Sequence, residues 1–583
     1  MSKNTPEDNN NVPDLRKTRE ALLAAERRKV LSLPSEQALD AVLASPYPVT
    51  LVQSMAEEDL YLLVHTIGPD DAVPVLGLAS NDQWAYFLDM EIWSRDRIHP
   101  HALTEWLARL LKADPDRFTH WIVEEQRDVF QYYLYRNLQV HVREYEEDPS
   151  EIGDGFSTED DVHYVRQRPY PVEYEHLQET RDQFVGDLLR RLAVYDYPLY
   201  KGLLVESGSV LATEAEEELL RLRNVRLAEK GFLPFEEAVG VYQPLGVADL
   251  LRRGRKPVVQ SGRPVETYQP QLWKHADIPT GADRFTRTLA GVQDELTFTR
   301  LQTEFAGLCN QVITADLQQI RERETLAQVV NKVSGYIGIG LEKAEADAPG
   351  DDPYRSANLI QSYLLADIFR VGYGCALTLK WKAERWRRES WFQRAGLPLA
   401  FWGESGLGVL GGLLIKKPLF FDNYAGGVLY REFSTLADIR STESNLDRLI
   451  AFDDLLALMG IEIPRHDPET LITYQNVLLT LWADHYLGMD EKPSVPMPLS
   501  IDQLRALHDR LWEPGPLPRR IGDSRRAQFL DWLAQRSGLS NYNISERMGP
   551  ALEDLFALLE SELGTVAAND LDARFMQLFL IKP

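Results

Sequence analysis

The chain is 583 residues long and carries 63 Lys and Arg against 89 Asp and Glu, a formal net charge of −26. Hydrophobic residues make up 44% and charged residues 26%, which excludes a wholly disordered or collagen-like chain. Such acidity argues against a globally basic nucleic-acid binder, so no nucleic-acid partner is expected. The length allows about three or four domain-sized units.

Residues 1–14 are polar and Asn-rich, lack the apolar core of a secretory signal, and are expected to form a disordered tail. Residues 15–143 are expected to form a domain of stacked short helices. Three short units begin at Glu57, Pro69 and Ser80, each with acids or a capping residue that suit the positive end of a helix. Each then runs into apolar residues, among them Leu60, Leu76 and Phe87. Helices this short cannot stand alone in water and must bury their faces on neighbours, as in a superhelix.

These capped units, over about residues 35–110, resemble the cytoplasmic helical domain of MgtE-type magnesium transporters and, more loosely, the helical domains of flagellar motor-switch proteins. The resemblance implies a stacked-helix surface. The nucleotide-binding-like module and membrane domain of those transporters have no counterpart in the sequence. The whole chain resembles a bacterial family of unknown function and similar length. Two segments carry that resemblance: Arg223-Asn224-Val225-Arg226-Leu227-Ala228-Glu229-Lys230-Gly231-Phe232 and Tyr430-Arg431-Glu432-Phe433. It implies a bacterial, cytosolic protein and no particular chemistry.

Residues 144–161 hold nine carboxylates in eighteen positions and no Lys or Arg. Like charges at that density repel, so residues 144–165 are expected to be an acidic linker. A helical domain over 166–250 follows, with Pro234 opening one helix. A basic, Gly- and Pro-containing linker is expected over 251–280. Phe285, Leu289, Val292 and Leu296, then Leu301, Phe305, Leu308 and Val312, predict one long amphipathic helix or two joined by a kink. They open a C-terminal helical domain over 281–583. Within it Asp467-Pro468, Ser500 with Gln503, and Asp523 with Gly538 mark helix ends. A small β-hairpin is expected near 419–430. The fold class is therefore all-α: a short-helix superhelix followed by helical bundle domains.

The chain has two cysteines, Cys309 and Cys375, and no CxxC pair. A disulfide framework and a cysteine zinc site are not expected. Two thiols in a reducing compartment point to the cytoplasm. Residues 396–415 hold a single charge, Glu404, and are long enough to cross a bilayer. Six glycines, Pro398 and a central carboxylate costing about 3 kcal/mol there argue for a buried Gly-rich turn instead. No membrane span is expected.

The same stretch contains Gly406-x-Gly408-x-x-Gly411, the spacing of a dinucleotide loop. That chemistry needs a preceding strand and an acid about twenty residues on; Asp422 comes too early, and close helix packing over the glycines is the better reading. Residues 148–159 have the length of a calcium loop, but Ile152 stands where an oxygen ligand is required. No cofactor, metal or catalytic residue is assigned.

Residues 380–394 carry six basic residues, two acids and Trp381, Trp386 and Trp391. Basic and aromatic residues together suit an anionic partner. The competing reading is internal packing, with Arg387 and Arg388 paired to the chain's own acids, and it is preferred. The candidate binding residues are Trp381, Arg385, Trp386, Arg387, Arg388, Trp391, Glu404 and Arg431, beside a groove formed with the 403–412 turn. The expected function is a non-enzymatic scaffold or regulatory protein with a protein partner. The alternative is an enzyme with its pocket around 380–435. Partner identity and oligomeric state stay open.

Overall fold

A computed structural model describes residues 12–208, 210–253, 283–347, 354–463, 472–489 and 494–582. The expected tail over 1–14 and basic linker over 251–280, and the start signal at Asp467, lie wholly or mostly outside the described residues. The protein is about 69% helical, with 26 α-helices and only short strands among the described residues, so the all-α class holds. No described helix is long and apolar enough to cross a membrane.

The chain divides into two compact units. The first, the N-terminal unit, takes Met1–Val241, Lys256–Thr280 and Val292–Val333. Its first part is a run of short helices: Ser35–Leu43, Pro48–Gln53, Glu57–Ile67, Val73–Leu78, Asn81–Glu91, Pro100–Ala113, Pro115–Glu124 and Arg127–Asn137. Each of the first four packs on the helix two further along, which buries the faces that periodicity marked. Leu60, Leu76 and Phe87 are fully buried. Ser80 and Gln83 form a capping box. The Gln83 amide also donates to the carbonyls of Val52 and Met55, both at 3.0 Å, which ties one helix to the loop two helices earlier. Trp84 and Trp121 meet edge to face at 5.3 Å, and the Arg117 guanidinium lies 3.9 Å above Trp84.

Two small sheets in this unit were not anticipated. Strands β1 (Trp93–Ser94) and β2 (Arg97–Ile98) form a tight hairpin. Strands β3 (Leu138–Val142), β4 (Ser157–Thr158) and β5 (His163–Gln167) form an antiparallel sheet in the order β3-β5-β4. The acidic run is therefore folded rather than an open linker. Its carboxylates find local donors: Asp160 accepts from the backbone of Val162 (3.0 Å) and His163 (2.6 Å) and from Tyr197 Oη (2.7 Å). Asp161 takes Tyr164 Oη (2.6 Å) and pairs with Arg143 (3.1 Å). Asp148 caps Ser150 N at 2.9 Å. Charge repulsion, which the composition emphasises, is offset at Asp148, Asp160 and Asp161, which accept from N–H and O–H groups.

The second, C-terminal unit takes Tyr242–Arg255, Gly281–Gly291 and Ser334–Pro583. The helix Leu365–Glu389 meets the helix Arg323–Ala346 backbone to backbone. A Cβ on Gly372 would stand 1.9 Å from the Tyr336 carbonyl, and one on Gly340 would stand 2.2 Å from that of Ile368. Only glycine permits this approach. The apolar pattern from Phe285 onward splits between the units: helix Arg284–Ala290 belongs to this one, and Glu295–Asp316, capped by Asp294, to the first. The Ser500–Gln503 capping box and the left-handed Gly538 after Asp523–Ser537 occur where the sequence places them. The hairpin is β6 (Phe420–Phe421) with β7 (Tyr430–Arg431).

Candidate functional site

The structure gives the sequence-derived candidates in the C-terminal unit very different surroundings. The helix Leu365–Glu389 turns Leu379, Ala383 and Trp386 into the core. Trp386 Nε1 donates to Asp453 Oδ2 at 3.2 Å, and the same carboxylate accepts the backbone N–H groups of Trp391 (3.0 Å) and Phe392 (2.8 Å). Trp391 Nε1 reaches the Ile461 carbonyl at 3.2 Å. At 100° per residue, burying Trp386 sends Arg385, Arg387 and Arg388 outward. All three are exposed, as are Trp381 and Glu404.

Among the described residues, Arg387 and Arg388 meet no carboxylate, contrary to the preferred reading. The lysines supply the internal pairing instead: Lys382 sits 2.6 Å from Asp447 and Lys380 2.8 Å from Glu384. Arg431 is fully committed. It bonds Asp422 at 2.7 Å and Asp438 at 2.8 and 3.0 Å, and stacks over Phe420 at 4.3 Å, fastening the hairpin to the next helix start. The 403–412 segment is helical, within Gly403–Leu414. Its glycines serve packing: a Cβ on Gly408 would strike Phe421, and one on Gly412 would strike the Leu419 carbonyl.

A larger concavity lies in the N-terminal unit, where sequence reasoning placed no site. A cleft of about 620 Å³ there is lined by arginines, and a second of about 720 Å³ is amphipathic. The amphipathic cleft has an apolar wall that includes Leu227, Phe232, Leu233, Phe235 and Leu317. Leu233, Phe235 and Leu317 are 37%, 38% and 42% exposed, which is unusual for large apolar side chains gathered in one place. Leu317 ends the helix Glu295–Asp316 with φ at 54°, a left-handed conformation costly for a branched residue. Beside it the Gln318 Oε1 atom is buried without a hydrogen-bond partner. The lining also holds the polar side chains Arg95, Asp96, His99, His101 and Glu105. Arg95, at the β1–β2 turn, also has positive φ, at 60°.

Glu91 anchors the floor of the cleft. Arg321 grips it with two donors at 2.7 and 3.3 Å, Trp106 Nε1 donates at 3.3 Å, the Tyr61 hydroxyl donates, and His65 Nε2 lies 3.0 Å away. Burial alone would raise the pKa of this carboxyl, but His65, Arg321 and Tyr61 outweigh it and hold the group at about 2. Asp89, two residues earlier, is clasped by Arg226 at 2.7 and 2.8 Å, and Arg223 donates to its main-chain carbonyl at 2.7 Å. These pairs fix the walls and leave other charges of the cleft uncommitted: among the described residues Arg95, Asp96 and Glu236 have no ion pair.

One sequence signal did point here without its meaning being legible. Residues 223–232, which carry the whole-chain resemblance, supply Arg223, Asn224, Leu227 and Phe232 to the lining. The breakers Gly231 and Pro234 then expose Leu233 and Phe235.

Fold and cleft together define a class: a many-helix protein with a preformed amphipathic cleft. The chain belongs to DUF6178, a family of unknown function, whose model matches residues 16–582. No curated protein and no solved structure matches it.

Proposed function

We propose that the protein is a non-enzymatic scaffold or regulatory protein that holds an amphipathic helical segment of a partner protein in the cleft of the N-terminal unit. The observation that carries this reading is the exposed trio Leu233, Phe235 and Leu317 lining one cleft with charged side chains. An amphipathic helix lays its apolar face on such a surface and keeps its polar face wet. The lining holds four carboxylates, Glu91, Asp96, Glu105 and Glu236, against three arginines, Arg95, Arg223 and Arg321, so the bound segment carries basic residues beside its apolar anchors. The left-handed Leu317 and the orphaned Gln318 carbonyl oxygen fit a surface finished by its ligand. The reduced thiols of Cys309 and Cys375 support a cytosolic site of action.

The test is quantitative co-purification of the full chain from its native host, with Phe235→Asp, Leu317→Asp and Arg387→Ser/Arg388→Ser variants alongside. A protein held by the wild type and by the double arginine variant, but released by both cleft variants, is the expected result. A bound set unchanged in the cleft variants overturns the proposal.

A further inference from the structure

We infer that a second pocket of the N-terminal unit, at the end of the β3–β5 ribbon, binds a small molecule through a phosphate or diphosphate group. The pocket encloses about 620 Å³ and is lined by Arg136, Arg166, Arg168 and Arg181 with the amides of Asn137, Gln139 and Gln167. No carboxylate lines it. In a chain of net charge −26, four arginines around one space without a lining acid run against composition.

The pocket is built from the strand register. Arg166 stands opposite Gln139 across the β3–β5 pair, and the Arg168 N–H bonds the Asn137 carbonyl at 2.8 Å, extending the ladder by a residue. Alternation along a strand puts Arg166 and Arg168 on one side. Arg136 comes from the last turn of the helix that runs into β3, where a cation also suits the helix dipole.

The four guanidinium groups divide into a floor and a rim. Arg181 is buried and its fork is spent: it bonds Asp182, Asn137 Oδ1 and the Arg168 carbonyl, each at 2.6 Å, above the Tyr170 ring. The rim arginines are exposed and hold donors in reserve. Arg166 gives Nη2 to Gln139 Oε1 at 2.6 Å and makes one further hydrogen bond among the described residues, to the main-chain carbonyl of Asp154 at 3.4 Å. Arg168 gives Nε to the Leu138 carbonyl at 2.7 Å. Among the described residues, Arg136, Arg166 and Arg168 pair with no carboxylate, although acids are abundant in the adjoining 144–161 segment. Aromatic rings steady two of them, Phe156 at 4.7 Å from Arg166 and Tyr135 at 5.5 Å from Arg168, so less side-chain freedom is lost on binding.

Planar guanidinium forks take the oxygens of a phosphate or a carboxylate bidentately, and three uncommitted forks lining one space suit the higher charge of a phosphate or diphosphate. A volume within the range of small-ligand sites, closed in by Pro100, Pro169 and Pro171, suits a compact phosphorylated molecule rather than the long basic stripe a nucleic-acid strand requires.

Isothermal titration of the full chain with inorganic phosphate, pyrophosphate and succinate, at one ionic strength, tests the inference. The expected result is binding of pyrophosphate tighter than phosphate, with succinate much weaker. Affinity should fall about tenfold in each of Arg136→Gln and Arg166→Gln, as expected for losing a charge-assisted bond. Arg387→Ser/Arg388→Ser should leave it unchanged. Arg166→Lys, which keeps the charge and loses the fork, should also weaken binding and guards against a folding defect in the Gln variant. Absence of heat with both phosphates, equal affinity for succinate, tighter binding of a single-stranded oligonucleotide, or affinity unchanged in the rim variants would each overturn it.

Discussion

Glu91 in the N-terminal unit and Asp453 in the C-terminal unit are both buried carboxylates that accept an indole N–H, yet their acidities move in opposite directions. Glu91 is ringed by Arg321, His65 and Tyr61, and its carboxyl is held at about 2. Asp453 is buried among neutral donors, Trp386 Nε1 and two backbone N–H groups, with Asp454 nearby. Burial wins there and its carboxyl rises above the usual value. Between these two carboxylates the difference is the neighbouring cation, since Arg321 stands beside Glu91 and none stands beside Asp453. The consequence for the surface is direct. Around Glu91 the cation comes from the wall of a cleft, and charge is organised where a ligand can reach it. Around Asp453 charge is confined to the core, and the arginines next to Trp386 stand in water.

The comparison can be broken from both sides. The largest effect is expected from Glu91→Ala, which strips Arg321, Tyr61 and Trp106 of a shared acceptor. Removing one partner of a buried ion pair costs about 3–5 kcal/mol, discounted toward the lower end because Arg321 is half exposed. Urea unfolding measures it; a loss below about 1 kcal/mol would mean that the cluster is dispensable. Asp453→Ala should cost about 1–3 kcal/mol, the price of three orphaned donors without an uncompensated cation. A cost matching that of Glu91 would erase the distinction.

The pH dependence sharpens the contrast without removing side-chain volume. The Glu91 carboxyl falls from 4.5 to about 2 on folding. Its contribution is therefore full above about pH 4.5 and is lost as pH falls toward 2. The stability gap between wild type and Glu91→Gln should narrow over that window. Asp453 has a raised folded value, so its linked stability is full below 3.8 and declines as pH rises through the folded value. The gap between wild type and Asp453→Asn should widen on acidification. Parallel unfolding series at several pH values decide it; two gaps moving the same way would refute the assignment.

The smallest effect is expected from Arg387→Ser/Arg388→Ser. Both side chains are exposed and form no ion pair among the described residues, so the unfolding free energy should stay within about 0.5 kcal/mol, as is typical of surface changes. A clear loss of stability would restore internal pairing for this helix end.

Features written within one turn of chain were legible in advance. Capping residues at Ser80 and Ser500, the stop at Gly538 and the burial of Leu60, Leu76 and Phe87 each depend on neighbours a few residues away. Those fixed the helical class and several helix ends, along with the hairpin near 420–430. The β3-β5-β4 sheet was hidden because its middle is written in acids, and strand pairing there relies on Asp160 and Asp161 finding donors only after the chain has turned back. The sites were less legible still. Trp386 finds Asp453 across 67 positions, and Arg321 finds Glu91 across 230. A sequence states that a charge exists. Only the folded chain decides whether a partner arrives to neutralise it, because at contact range the Coulomb and desolvation terms change over a few ångströms while sequence separation carries no distance at all. Thus composition and local periodicity determined a many-helix acidic protein, and tertiary packing alone decided that residues 380–394 would lend their tryptophan to the core while Arg136, Arg166 and Arg168 would face an open pocket.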